Sequence, residues 1–204
     1  MAVSNTLKAF LSASKVPHTV AKHPVAYTAQ ELAAASHVPG RHMAKCVLVN
    51  TDRGPMLAVL PAIYRIDFKR LKAAAGVKTA SIATEGDIKA RFPDVEVGAM
   101  SPFGNLYQLP VVVERTLEES EEMVFNAESH TDTITMRYRD FARLVPHKTG
   151  AFGQPFGEAP RGKPKKSKRA TPARRAGARS ASSRRAKSRS SPAKKRPRSR
   201  PSRR

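Results

Sequence analysis

The last large apolar side chain in this sequence is Phe156: no Val, Leu, Ile, Phe, Met or Tyr follows it through residue 204. A segment without such side chains cannot bury enough apolar surface to offset the conformational entropy that folding removes. Any hydrophobic core must therefore come from the first 156 residues, a length typical of one domain with a sizeable core. We expect the segment beyond it to be disordered.

Charge divides the chain at nearly the same place. Residues 161–204 hold 20 of the 38 Lys and Arg residues and no Asp or Glu, which leaves 18 basic and 16 acidic side chains in the first 160 residues. The formal net charge of +22 is thus almost entirely a property of the C-terminal segment. We predict a domain over residues 1–147, a Gly- and Pro-rich linker over 148–162 and a disordered Lys/Arg-rich tail over 163–204.

The predicted tail carries its basic side chains in pairs and triplets between Ser, Ala and Pro. The clustered residues are Lys165, Lys166, Arg174, Arg175, Arg184, Arg185, Lys194, Lys195 and Arg196. Each Lys or Arg that neutralises a phosphate releases counterions, so we expect the tail to bind RNA or DNA with a steep salt dependence. No aromatic side chain is interleaved for base stacking, which argues against sequence readout. A tail that only increases solubility is the alternative.

The location of the protein is indicated by three observations. A single cysteine, Cys46, excludes an internal disulfide and fits a reducing compartment. Residues 1–10 lack the apolar core of a signal peptide, and no apolar run approaches the roughly 18 residues of a membrane span. We therefore expect a cytoplasmic protein.

Hydrophobic periodicity, turn residues and capping residues predict alternating helices and strands. Helices are expected over 5–15, 32–36, 68–75, 85–91 and 140–145, the second opened by the capping-box pair Thr28 and Glu31. Strands are expected over 18–22, 44–50, 56–60, 110–114, 123–126 and 133–137. The predicted fold class is α+β, with a mixed, largely antiparallel sheet or partial barrel surrounded by helices.

Standard catalytic motifs are missing from the sequence. It has no G-x-S-x-G elbow, no Walker-type phosphate loop and no H-E-x-x-H. The scattered histidines, which are His18, His23, His37 and His42, lack metal-ligand spacing, so no metal or other cofactor is predicted. Cys46 lies in an apolar strand and is predicted to be a buried structural thiol.

Three further features could carry chemistry, although each has an ordinary explanation. Lys45 begins an apolar strand, where a lysine must either extend to solvent or meet an anion. The loop Gly98–Gly104 contains two glycines and a proline, which can hold backbone N–H groups toward a ligand oxygen or simply form a turn. His130 lies between two predicted strands, as many loop histidines do.

Taken together, these features resemble a known family. Met43–Val49, Val97–Gly104 and Phe125–His130 match, in order and spacing, the motifs of the YbaK family, and the resemblance covers about residues 5–147. That family contains free-standing trans-editing deacylases and the editing insertion domain of bacterial prolyl-tRNA synthetase. One departure is Glu128, because the branches with a histidine usually have Gly at this position.

The resemblance implies roles for individual residues. Lys45 is similar to the lysine that holds the terminal phosphate and ribose of the tRNA acceptor end, and His130 to the histidine of the alanine-editing and insertion-domain branches. The loop Gly98–Pro102, including Ala99 and Ser101, resembles the loop whose N–H groups hold the aminoacyl carbonyl. Candidate walls of the amino-acid pocket are Tyr27, Met43, Met100 and Phe103, and Tyr27 and Phe103 are at least equally well explained as core residues.

The activity that the resemblance implies is hydrolysis of the ester between a wrong amino acid and its tRNA. Such an ester is already activated, and the family is thought to use the ribose hydroxyl of the tRNA to assist the attacking water. Positioning and oxyanion stabilisation then suffice, without a protein nucleophile. Alanine on tRNA(Pro) is the favoured substrate, with cysteine, serine and 2-aminobutyrate open, and prolyl-tRNA synthetase is a possible partner. The alternative is a non-catalytic nucleic-acid-binding protein with an inactive domain of this family.

Overall fold

The computed structural model describes residues 4–156, which alternate between short helices and strands. The five α-helices in this part are α1 (Asn5–Ser14), α2 (Ala29–Ala35), α3 (Phe68–Ala75), α4 (Glu85–Arg91) and α5 (Tyr138–Leu144). The strands in this part are β1 (His18–Lys22), β2 (Ala44–Thr51), β3 (Gly54–Pro61), β4 (Tyr64–Ile66), β5 (Ala80–Ile82), β6 (Val111–Glu114), β7 (Glu122–Asn126), β8 (Asp132–Arg137), β9 (His147–Gly150) and β10 (Gly153–Pro155). The predicted α+β class is confirmed.

The main sheet is mixed and has the strand order β5-β2-β3-β6-β9. Its strands β2 and β3 form the predicted antiparallel hairpin, whereas β3, β6 and β9 run parallel to one another. A separate antiparallel sheet has the order β1-β8-β7, and β10 pairs with β4. None of these sheets closes into a barrel.

The helix ends follow the capping chemistry of the sequence. Thr28 and Thr84 each form a complete capping box at the start of α2 and α4. The Asp67 carboxylate accepts hydrogen bonds from the first turn of α3, and Gly76 ends that helix with a φ of +74°. Because these signals are local, the bounds of all three helices lie within a few residues of the prediction.

Two apolar clusters pack against the main sheet. Successive residues of β2 alternate between them: Ala44 and Leu48 join the cluster that contains Phe103, whereas Val49 joins the cluster that contains Phe152. The loop Gly98–Gly104 follows α4 and enters the first cluster. Within residues 4–156, no helix is long and apolar enough to cross a membrane.

The structure differs from the sequence-based boundary at residue 147. Residues assigned to a linker form β9, which pairs with β6, and β10, which pairs with β4. The buried Glu114 carboxylate accepts hydrogen bonds from the N–H groups of Phe152, at 2.6 Å, and Gly153, and so fixes this segment. Gly150, Gly153 and Pro155, which contributed to the linker prediction, therefore lie in these two strands.

The predicted tail falls outside the described residues. This holds for all nine basic residues assigned to nucleic-acid binding. The predicted disorder of the tail and its affinity for nucleic acid therefore stay predictions.

Candidate active site

The loop Gly98–Pro102 enters the core directly after its first residue. Gly98 is exposed and has a φ of +91°, a left-handed conformation that favours glycine. The following residues are buried, and the side chains of Ala99 and Met100 lie in the interior. The side chains that follow Gly98 in the loop are therefore not exposed to a substrate in this conformation.

Backbone N–H groups of this loop differ in their availability. The N–H of Ala99 donates to the carbonyl of Glu96 at 2.9 Å, which closes the turn and removes this group from the predicted set of substrate donors. The N–H groups of Gly98, Met100 and Ser101 have no acceptor within the described part of the chain. A carbonyl oxygen that becomes negatively charged during ester hydrolysis could be stabilised by such donors.

His130 lies directly against Gly98. A Cβ atom added to Gly98 would be 3.8 Å from Cε1 of His130, and the ring of Tyr27 lies 5.0 Å from the histidine ring between centroids. The structure therefore brings together three residues that the sequence placed in three separate segments. Tyr27 is 73 % exposed, so it covers the histidine from the solvent side and is not a core residue.

Both ring nitrogens of His130 face backbone carbonyl oxygens. Nδ1 is 3.0 Å from the oxygen of Ala26 and Nε2 is 3.1 Å from the oxygen of Val97. A neutral imidazole has one N–H, so both contacts are hydrogen bonds only when the ring is doubly protonated. In this conformation the ring connects two backbone segments and directs no lone pair toward open solvent, which fits positioning better than proton abstraction.

Glu128 is a buried carboxylate beneath the loop. Its Oε1 atom accepts a 2.7 Å hydrogen bond from the hydroxyl of Ser101, and its Oε2 atom accepts one from the hydroxyl of Ser4. Burial, and then the charge of Glu128, raise the pKa of Tyr107 and of the Cys46 thiol. Cys46 is only partly buried, in contrast to the prediction of a buried thiol, but its raised pKa makes it a poor nucleophile.

Lys45 lies in a different environment from the loop. Its Nζ atom donates to the carbonyl of Ala62 at 3.3 Å and lies 5.1 Å from the ring centroid of Phe156. Burial lowers the pKa of Lys45. No hydrogen bond or ring contact of the described residues joins Lys45 to Gly98 or His130.

A small hydrophobic cluster nevertheless connects the two groups. Ala62, the partner of Lys45, and Ala26, the partner of His130, both belong to a cluster that also contains Met43 and Val124. Lys45 and His130 thus lie at the edge of the same apolar patch. Met43 is fully buried within it, so the structure places Met43 beneath the patch and not on an open pocket wall.

The predicted pocket walls are mostly core residues. Phe103 has no exposed surface, and its ring makes edge-to-face contacts with Phe10, Phe125 and Phe141. Met100 is 4 % exposed. Phe103 is therefore a core residue, which was the alternative to a pocket wall. Neither Phe103 nor Met100 is exposed to an open pocket in this conformation.

A cleft lined in part by Ala62 lies beside α2. It has a volume of about 540 Å³ and is lined by Gln30, Ala33, Ala34, His37, Val38, Pro39, Gly40, Ala62 and Ile63. Since Ala62 accepts the hydrogen bond of Lys45, this cleft adjoins the lysine. Three other clefts in the described residues have neither Lys45, Gly98 nor His130 in their lining.

Residues 4–156 contain no group of three or more His, Cys, Asp or Glu side chains placed to bind a metal ion.

Solved structures of other proteins share the fold of this chain. A protein proposed to be a trans-editing enzyme for prolyl-tRNA synthetase is 16% identical, with a TM-score of 0.66 over 75% of this chain and 99% of that one. A hypothetical protein is 16% identical, with a TM-score of 0.67 over 74% and 100%. A scaffold protein from computational epitope grafting is 16% identical, with a TM-score of 0.63 over 74% and 98%. At this identity the likeness defines the fold alone.

The sequence itself assigns the family. Residues 23–144 match the family model of the aminoacyl-tRNA editing domain, and the chain belongs to that family. The matched range contains all three motifs on which the resemblance to YbaK-like proteins was based, so that resemblance is confirmed. A search of the curated proteins finds no match to this chain.

Proposed function

We propose that the protein is a trans-editing deacylase that hydrolyses the ester between a small wrong amino acid and its tRNA. The observation that carries the proposal is the loop of an editing domain in which Gly98 adopts a left-handed backbone against His130, with the N–H groups of Met100 and Ser101 free of intramolecular acceptors. Donors of this kind stabilise the oxyanion of an attacked ester, and loss of one typically costs 10²–10³-fold in rate.

The remaining residues fit supporting roles in this reaction. The Lys45 ammonium, at the edge of the Ala26–Ala62 patch, is suited to a phosphate of the acceptor end. His130, whose ring lies between the carbonyl oxygens of Ala26 and Val97, is suited to positioning at the entrance of the loop. The ribose hydroxyl of the tRNA assists the attacking water, which explains why no protein nucleophile is needed. The basic tail adds affinity for the tRNA backbone.

The test is deacylation of purified aminoacyl-tRNAs. We expect release of alanine from alanyl-tRNA(Pro), strong slowing in Lys45→Ala, and no release of proline from prolyl-tRNA(Pro), since a double-sieve site excludes the larger correct amino acid. A panel with cysteine, serine and 2-aminobutyrate identifies the substrate if alanine is not released. Absence of hydrolysis with every small aminoacyl-tRNA would refute the proposal.

The tail has a separate test. Deletion of residues 161–204 is expected to leave the maximal deacylation rate unchanged and to weaken tRNA binding at low salt, because the 20 basic residues in this range act on phosphates and not on the ester. An unchanged salt dependence of binding after the deletion contradicts this role. Cytoplasmic location and association with prolyl-tRNA synthetase belong to the same proposal, and co-purification with the synthetase tests the latter.

A second candidate function is binding of nucleic acid without catalysis. Its support is that Met100 and Phe103 are buried and both ring nitrogens of His130 face carbonyl oxygens, so these three side chains are not available to an amino-acid substrate in this conformation. The deacylation panel separates the two functions: binding of tRNA without any hydrolysis supports this second candidate.

A further inference from the structure

Glu128 is a buried acid that the proposed chemistry does not use. Its residue is 2 % exposed, yet both carboxylate oxygens have hydroxyl donors. The two donors come from distant segments: Ser101 belongs to the loop, and Ser4 is the N-cap of α1. A buried carboxylate needs such donors, and in return it holds the segments that supply them in fixed positions.

The backbone around Glu128 is tied to the same loop. Glu128 has a φ of +69°, and its carbonyl accepts a 3.3 Å hydrogen bond from the N–H of Glu96. The Glu96 carboxylate in turn accepts a 2.6 Å hydrogen bond from the N–H of His130. A non-glycine residue persists in the left-handed region only where its surroundings fix it. The hydrogen bonds that hold Glu128 come from Glu96, which precedes Gly98, and from Ser101, which follows it.

The hydrogen bond to Glu128 also defines what Ser101 does. The Ser101 residue is 2 % exposed and its hydroxyl is donated to the carboxylate, so it is not placed to attack a substrate. The same residue carries one of the N–H groups assigned to the oxyanion. A carboxylate that holds the Ser101 side chain therefore also sets the direction of that N–H.

We propose that Glu128 is a positioning residue for deacylation: through the Ser101 hydroxyl, its carboxylate sets the backbone of the Gly98–Pro102 loop. The inference rests on the proposed function, because it assigns a task to the loop of that reaction.

The kinetic test compares Glu128→Gly and Ser101→Ala with the matched control Ser4→Ala. Each of the first two variants removes one end of the hydrogen bond to the loop, and we expect each to lower kcat by about 10–100-fold with KM for the mischarged tRNA within twofold, since misplacement by about 1 Å has effects of this size. The double variant should be no slower than the slower single variant, because both remove one interaction. Ser4→Ala removes the bond to the other carboxylate oxygen and an N-cap, and should keep kcat.

A second measurement does not depend on catalysis. Amide hydrogen exchange of the full chain without tRNA should rise at least about tenfold at Ala99, whose N–H is bonded to the Glu96 carbonyl, in Glu128→Gly and Ser101→Ala, and in α1 alone in Ser4→Ala. If the wild-type chain deacylates no substrate, the proposed function fails while the exchange pattern still decides whether Glu128 positions the loop. Unchanged loop exchange, or a kcat that falls equally in Ser4→Ala, would overturn the inference with the proposed function intact.

Discussion

Replacement of Lys45 by methionine should lower the deacylation activity strongly while it changes the free energy of unfolding only a little. The ammonium gains a 3.3 Å hydrogen bond to Ala62 and a contact with the Phe156 ring at 5.1 Å. A contact of the latter kind is worth about 0.5–1 kcal/mol, and the hydrogen bond is longer than usual. Burial opposes both gains, and the lowered pKa of Lys45 indicates that burial has the larger effect.

The expected change in the free energy of unfolding for Lys45→Met is therefore small, within about 1 kcal/mol of the wild-type value. Methionine keeps the unbranched aliphatic contacts of the lysine stem. Loss of a charged partner for a bound phosphate typically costs about 2–5 kcal/mol, which corresponds to a fall of roughly 30-fold or more in kcat/KM. Urea unfolding followed by far-UV circular dichroism suits the stability measurement, since the chain has no Trp.

Lys148→Met is the matched control for this experiment. Its Nζ atom also donates to a backbone carbonyl, that of Ala75, at 3.1 Å, and no predicted site residue adjoins it. We expect a similar small change in stability and an unchanged deacylation rate. The reasoning is refuted if Lys45→Met unfolds with a loss of more than about 2 kcal/mol, because Lys45 would then be a structural residue. Equal activity of the two variants would refute the assigned role in binding.

Three further predictions concern the site and its surroundings. Gly98→Ala places a side chain at a φ of +91° beside His130, so we expect a loss of about 1–2 kcal/mol in unfolding free energy and a much larger proportional loss in kcat, measured on the same samples; normal kcat would show that the loop conformation is not required. The thiol of Cys46, whose pKa is raised by burial and then by Glu128, should resist alkylation at pH 8 until the protein is unfolded, and rapid labelling of the native protein would contradict this. Burial alone would raise the pKa of Asp132, but hydrogen bonds from hydroxyls and nearby positive charges lower it overall. This carboxylate therefore stabilises the fold above its unfolded pKa of about 3.9, and the contribution is lost as pH falls through the lower folded value. The stability difference between wild type and Asp132→Asn should shrink in that acidic range, and a constant difference would contradict the assignment.

Local signals explain which parts of the fold could be predicted from the sequence. The capping boxes at Thr28 and Thr84 and the turn between β2 and β3 each involve residues a few positions apart, and the structure contains all three. Strands β9 and β10 have distant partners and only three or four residues each, so no periodic pattern identifies them. Their Gly and Pro content indicated a linker instead.

In the candidate site, too, short motifs could be predicted from the sequence, whereas contacts between distant residues could not. Motif order and spacing identified Gly98 and His130, which lie together in the structure. The bond between Ser4 and Glu128 joins residues 124 positions apart, and no sequence pattern indicates such a pair. Phe103 was assigned to a pocket by its place in a motif, but residue type does not distinguish an apolar pocket wall from a core residue.

The parallel arrangement of β3, β6 and β9 has a consequence for the order in which the chain folds. β6 is complete at Glu114, but its outer partner is not synthesised until His147–Gly150. During that interval the three consecutive valines of β6 form an unpaired sheet edge, the kind of surface that promotes intermolecular strand pairing. We expect nascent or truncated chains that stop before residue 150 to aggregate, so a stable form of the isolated domain must extend at least through β9.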